Sequence, residues 1–105
     1  MTFIIVDNNI GSEGARYLSE GLKHLTNLTN LSFTIGSDNN INSEGARDLG
    51  EGFKCLTNLT NLIFNIEYYN DLGSEGAIAL GEGIKHLNHL TNLAFTIGFK
   101  NNIGS

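Results

Sequence analysis

The chain is poor in the residues that build metal and disulfide chemistry. Its 105 residues include one cysteine, no proline and no tryptophan. A single cysteine excludes an intrachain disulfide framework and a cysteine-rich zinc site. Basic residues are few: six Lys and Arg stand against eleven Asp and Glu, a formal net charge of −5. That balance argues against a binder of nucleic-acid phosphates, which needs a basic face. No apolar run approaches the roughly 18 residues of a membrane span, and no Lys/Arg-led signal peptide opens the chain. GxGxxG, Walker A, GxSxG and HExxH motifs are all missing. What is present is 40% hydrophobic residues with only 16% charged ones, enough for a packed core in one domain spanning 1–105.

The dominant signal is self-similarity. The string Ser-Glu-Gly-Ala begins at Ser12, Ser43 and Ser74, a constant step of 31 residues. In the same register recur Leu18, Leu49 and Leu80; Lys23, Lys54 and Lys85; and Phe33, Phe64 and Phe95. Ile35, Ile66 and Ile97 recur likewise, as do Asn8, Asn39, Asn70 and Asn101. The chain thus divides into a partial unit, 1–11, and three repeats at 12–42, 43–73 and 74–104. It reads either as a domain in itself or as a stretch of a longer array. No non-repetitive region is left for a separate catalytic domain.

Each unit switches periodicity once. Ala15, Leu18, Leu22 and Leu25 are spaced 3, 4 and 3 apart, one stripe of a helix, with Ser12 as its expected N-cap. From Leu31 through Phe33 to Ile35 the apolar residues alternate with period two, as in a half-buried strand. The spacing predicts helices near 13–25, 44–56 and 75–87 and strands near 2–5, 30–35, 61–66 and 92–97. Strand and helix in alternation imply a parallel sheet with right-handed crossovers. Within each helix the apolar stripe is flanked by small residues: Gly14, Gly21 and Ser19, then Gly45, Gly52 and Gly50, then Gly76, Gly83 and Gly81. A mid-helix Gly costs about 1 kcal/mol relative to Ala. Several per helix make physical sense if they let neighbouring helices approach closely. Phe64, in the central unit, is expected to be the most buried of the three repeated phenylalanines.

Leu28-x-x-Leu31-x-Phe33, followed by Asn39-x-Ile41 and then Ser-Glu-Gly-Ala-x-x-Leu, resembles the leucine-rich repeat in its ribonuclease-inhibitor-like subtype. The likeness runs in register through nearly the whole chain. Three extra residues separate Phe33 from the recurring Asn, so the strand can run on through Ile35 into a longer loop. The resemblance implies an α/β fold: a right-handed solenoid, or horseshoe, with the parallel sheet on its concave face and the helices on its convex face. It implies that Asn8, Asn39, Asn70 and Asn101 are structural, buried with their amides bonded to turn backbone, since an unpaired buried polar group is costly. It also implies protein recognition on the concave face without catalysis or cofactor, in a eukaryotic chain; with no signal peptide or transmembrane segment read in the sequence, a cytoplasmic location is expected.

The few reactive side chains do not assemble into a site. His24, Cys55 and His86 share one position in successive units. Helix axes pack about 8–10 Å apart, whereas zinc holds its ligands at about 2.0–2.3 Å, so no metal is expected. Glu13, Arg16, Glu20 and Lys23 form a solvated face, with Arg16 and Glu20 at i,i+4 and Glu20 and Lys23 at i,i+3. The sequons at Asn27, Asn30 and Asn58 are by-products of the LTNLTNLS frame.

Positions that vary within a repeated frame can carry specificity. On the strands Ser32 and Thr34 alternate outward, beside Ile63 and Asn65 and then Ala94 and Thr96. Just past the strands, Gly36-Ser37-Asp38 gives way to Glu67-Tyr68-Tyr69 and then to Gly98-Phe99-Lys100. Aromatic residues dominate interface hot spots. The expected partner-binding residues are therefore the strip Thr34, Ile63, Asn65 and Thr96, and a rim of Tyr68, Tyr69 and Phe99 edged by Glu67, Lys100 and Asp38. Two functions fit: a non-enzymatic module binding another protein through strip and rim, or a structural segment of a longer solenoid that associates with itself through uncapped ends. Neither involves nucleic acid or membrane.

Overall fold

The computed structural model describes residues 2–5, 10–37, 39–67 and 70–98. Strands and helices alternate: β1 (Thr2–Ile5), α1 (Gly11–Leu22), β2 (Asn30–Ile35), α2 (Asn42–Lys54), β3 (Asn61–Ile66), α3 (Gly73–Lys85) and β4 (Asn92–Ile97). The strands form one parallel sheet in the order β1-β2-β3-β4. Register follows the repeat: Phe33 lies beside Phe64 and Phe64 beside Phe95, each 31 residues on. β1 departs from that step. Phe3 pairs with Phe33 and Ile5 with Ile35, a step of 30. By Gly11, whose N–H bonds the Asn39 carbonyl as that of Asn42 bonds Asn70, the step is 31 again. The first unit is therefore one residue shorter, and the difference falls between Ile5 and Gly11.

All three helices pack against one face of the sheet. Leu31, Phe33 and Ile35, with Leu62, Phe64 and Ile66, meet Ala15, Leu22, Ala46, Leu49, Phe53, Leu80 and Ile84 in a single core. At its centre the rings of Phe33, Phe53 and Phe64 meet edge to face at 4.8–6.0 Å, and Phe95 stacks on Phe64 at 5.3 Å. Phe33 is as fully buried as Phe64, contrary to the expectation that Phe64 would stand alone. Phe53 reaches across from α2 to both rings, and β1 flanks Phe33 on the sheet. Among the described residues helices meet only neighbouring helices, α1 with α2 and α2 with α3, and each strand pairs only with the next.

The strands lie where the alternation placed them, but the helices begin and end two or three residues early. The turn into each helix uses left-handed backbone: Gly11 and Gly73 have φ of 69°, and Asn42, at the same place in its unit, has φ of 57°. Glycine takes that conformation without steric cost. Asn42 compensates by accepting hydrogen bonds from the N–H groups of Glu44 and Gly45 at 3.0 and 3.2 Å. The side chain that bonds the first turn of α2 is thus that of Asn42 and not of the following serine, and α1 has no side-chain cap from Ser12. At the other end, i→i+3 bonds such as Leu25 N–H to the Leu22 carbonyl tighten the last turn, which puts Leu25, Leu56 and Leu87 beyond the helices.

The small helix flanks sit at the helix–helix contacts. A methyl group placed on Gly45 would lie 3.1 Å from the Ala15 methyl and 3.2 Å from the Ser12 Cα. One on Gly52 would meet the Ser19 backbone at 3.2 Å, and one on Gly83 the Gly50 carbonyl oxygen at 2.4 Å. These helices touch backbone to backbone because no side chain intervenes.

Candidate interaction surface

Among the described residues the opposite face of the sheet carries no helix. Its outward residues form two rows across the strands: Ser32, Ile63 and Ala94, then Thr34, Asn65 and Thr96. Ile63 is 47% exposed, Ala94 and Thr96 are exposed, and Thr34 and Asn65 are half-buried. The Asn65 amide reaches the Thr34 hydroxyl at 3.5 Å, at the limit of a hydrogen bond. Parallel sheets are ordinarily covered on both faces. This one leaves a face with the large apolar side chain of Ile63 exposed on β3.

At the C-terminal end of the strands a hollow of about 320 Å³ is lined by Ser37, Asn65, Ile66, Glu67, Thr96 and Gly98. Here the main chains stay paired past the strands: Glu67 N–H donates to the Ile35 carbonyl and Gly98 N–H to the Ile66 carbonyl. Thr34, Ile63, Asn65, Thr96 and Glu67 thus share one surface. Asp38, Tyr68, Tyr69, Phe99 and Lys100, the rest of the sequence-derived rim, lie outside the described residues.

Beneath that end lies the asparagine row. The Asn70 amide donates to the Gly36 carbonyl at 3.0 Å and the Glu67 carbonyl at 3.2 Å, and its Oδ1 accepts the Asn39 N–H at 3.0 Å. The Asn39 amide donates to the same Gly36 carbonyl at 3.1 Å, and its Oδ1 lies 3.4 Å from the Ile10 N–H. Both side chains are fully buried. Each ties the turn of its own unit and the turn before it. Asn8 and Asn101 lie outside the described residues.

A second polar row, at the N-terminal end of the strands, was not singled out from sequence. The Thr60 and Thr91 hydroxyls donate to the Thr29 and Thr60 carbonyls, and the Asn61 and Asn92 amides donate to the amide oxygens of Asn30 and Asn61. The Asn58 amide and His89 Nδ1 reach the carbonyls of Thr26 and Thr57. Identical polar residues at the repeat step were the available signal, hidden in the LTNLTNL frame.

The outer helix face is a set of solvated ion pairs. Lys23, Lys54 and Lys85 each meet the glutamate three residues earlier at 2.9–3.2 Å. Arg16 pairs with Glu13 at 3.7 Å and not with Glu20, because Lys23 already occupies the Glu20 carboxylate. The hydrogen bond from Lys54 holds the Glu51 carboxyl below its usual range, and that to Glu20 raises the Lys23 ammonium. These groups are exposed, so the pairs contribute little. A cleft of about 460 Å³ between α1 and α2 is lined by Ser12, Glu13, Arg16, Glu44, Arg47 and Asp48, with charges of both signs.

His24, Cys55 and His86 project separately from the helix C-terminal ends. Cys55 Sγ points back to the Glu51 carbonyl, and His86 Nδ1 lies 2.8 Å from the Glu82 carbonyl. Among the described residues no three of His, Cys, Asp and Glu come together as a metal site, and no helix is long and apolar enough to cross a membrane. No family model matches the chain, and neither does any curated protein or solved structure.

Proposed function

We propose that this chain is a leucine-rich-repeat solenoid of the ribonuclease-inhibitor-like subtype, acting as a non-enzymatic module that binds another protein through the open face of its sheet. The observation that carries the reading is that uncovered face, with Ile63 exposed at its centre and Thr34, Asn65 and Thr96 beside it. A strip of small polar groups beside an exposed apolar anchor suits a protein partner: the anchor is desolvated and the hydroxyls and amide fix orientation. The in-register step of 31 residues and the buried Asn39 and Asn70 support the repeat assignment. Tyr68, Tyr69 and Phe99, with Glu67, Lys100 and Asp38, extend the proposed surface on their place in the sequence.

The test is differential capture from a lysate. The intact chain is immobilised beside Ile63→Glu and beside Arg47→Glu on the outer helix face. Both side chains are exposed, so both variants keep the fold. A specific partner should be retained by the intact chain and by Arg47→Glu. Ile63→Glu should weaken it at least tenfold, about 1.4 kcal/mol. Equal retention by Ile63→Glu, or loss with Arg47→Glu alone, removes the sheet face as the binding surface.

A further inference from the structure

The two ends of the stack carry the halves of a contact that the molecule already makes twice inside itself. Each helix presents small residues to the helix that follows and a glycine pair, seven residues apart, to the helix that precedes. Between α1 and α2 these are Ser12, Ala15 and Ser19 against Gly45 and Gly52; between α2 and α3 they are Ser43, Ala46 and Gly50 against Gly76 and Gly83. The forward side of α3 repeats the set as Ser74, Ala77 and Gly81, and the rear side of α1 repeats the pair as Gly14 and Gly21. Neither is covered: a methyl group on Gly21 or on Gly81 would meet nothing within 4 Å.

The apolar layer beside these helices is exposed at both ends in the same way. Leu93 on β4 is 50% exposed, whereas its counterparts Leu31 and Leu62 are buried. Phe95 and Ile97 are only partly buried. At the opposite end Leu25 and Leu28 are partly covered, whereas Leu56 and Leu59, one unit on, are fully buried.

Strand placement fixes how the ends would meet. α1 follows β1, and the helix that would cover α3 must follow β4, so β1 and β4 hold the same place in the stack. For α1 of one copy to seat on α3 of another, β4 of the second copy must take the place of β1. Among the described residues β3 pairs with β4 over six residues, Asn61–Ile66, and β1 pairs with β2 over four, Ser32–Ile35.

We propose that this chain assembles head to tail with further copies of itself, α3 and β4 of one copy seating on α1 and β2 of the next in exchange for that copy's β1. In the junction Gly21 meets Gly81 as Gly83 meets Gly50, Gly14 meets Ser74 and Ala77 as Gly76 meets Ser43 and Ala46, and Phe95 lies beside Phe33 as Phe64 does. The contact is heterologous, so each added copy leaves the same end open and growth does not close on itself at the dimer. The surface is separate from the open sheet face and does not depend on the reading proposed for it.

The test uses the full chain and two variants, Gly21→Arg and Gly81→Arg. Each puts a long charged side chain where nothing lies within 4 Å in the single copy, so circular dichroism and thermal unfolding of dilute samples should match the intact chain or exceed it. Sedimentation is followed from low micromolar to millimolar concentration. The average mass of the intact chain should rise continuously from 11.4 kDa and pass that of a dimer. Each variant alone should remain a monomer, because every junction needs both faces. An equimolar mixture should form a dimer and nothing larger, since Gly21→Arg keeps the α3 face and Gly81→Arg keeps the α1 face. Ile63→Glu should assemble like the intact chain. The proposal is overturned if the intact chain stays monomeric throughout, if either variant dimerises alone, if the mixture does not associate, or if Ile63→Glu abolishes assembly.

Discussion

Asn70→Asp keeps the shape of a buried side chain and removes only its two donors. The Asn70 amide faces the Gly36 and Glu67 carbonyls at 3.0 and 3.2 Å, while Oδ1 accepts the Asn39 N–H. A carboxylate retains the acceptor role but turns oxygen toward oxygen at both carbonyls. The Gly36 carbonyl keeps its bond from the Asn39 amide, but the carboxylate brings a buried charge against two carbonyl oxygens. A neutral buried group left unmatched costs about 1–3 kcal/mol and a charged one more, so the change should cost at least about 3 kcal/mol at pH 7. A small domain has roughly 5–15 kcal/mol in all. The pH dependence follows from the same geometry. Burial and the two carbonyls raise the pKa of the new carboxyl in the folded state above its unfolded value of about 3.9. Below that value both states are protonated and the acid can donate one bond. As pH rises past it, the unfolded chain ionises first and stability falls, by up to about 1.36 kcal/mol per pH unit until the folded carboxyl also ionises. Urea unfolding followed by circular dichroism, for both proteins at pH 3.5 and pH 7, measures the deficit against the intact chain. It should be large at pH 7 and clearly smaller at pH 3.5. A deficit under about 1 kcal/mol at pH 7, or one that grows on acidification, would show that the amide does not clamp the two turns.

Three further substitutions probe the packing. Phe64→Ala empties a fully buried site between Phe33, Phe53 and Phe95; urea unfolding should register a loss of about 3–5 kcal/mol. Gly83→Ala drives a methyl onto the Gly50 carbonyl and should cost about 1–3 kcal/mol in the same assay, whereas Gly81→Ala, in open space, should be neutral or gain up to about 1 kcal/mol from helix propensity.

The alternation from Leu31 to Ile35 located β2, β3 and β4 to the residue, because a period of two leaves no freedom of register once one face is buried. Helix ends were less legible. Their starts are set by left-handed backbone at Gly11, Asn42 and Gly73, and the Asn42 side chain competes with the neighbouring serine for the cap. Their last turns tighten into i→i+3 bonds that no apolar spacing encodes. The step of 30 at β1 was invisible because the Ser-Glu-Gly-Ala frame aligned the leading fragment from its other end. Of the candidate surface, alternation placed Thr34, Ile63, Asn65 and Thr96 together. It could not reveal the Thr29-Thr60-Thr91 and Asn30-Asn61-Asn92 rows, which depend on lateral spacing between strands and not on position along one.

Contact between adjacent units alone makes the second unit the bridge for all communication through the molecule. Among the described residues α1 and α3 do not meet: the one helix that either packs against is α2, and all three share the sheet beneath them. Local opening should therefore be graded: β4, with Leu93 half exposed, lies at the low-protection end, and the ring cluster of Phe33, Phe53 and Phe64 at the high-protection end. Loss of the last unit leaves the first two with their mutual interface intact, whereas loss of the middle one severs the fold into pieces with no shared core. Amide protection should rise from either end toward α2 and β3, a gradient along the stack in place of the single uniform value of an all-or-none domain.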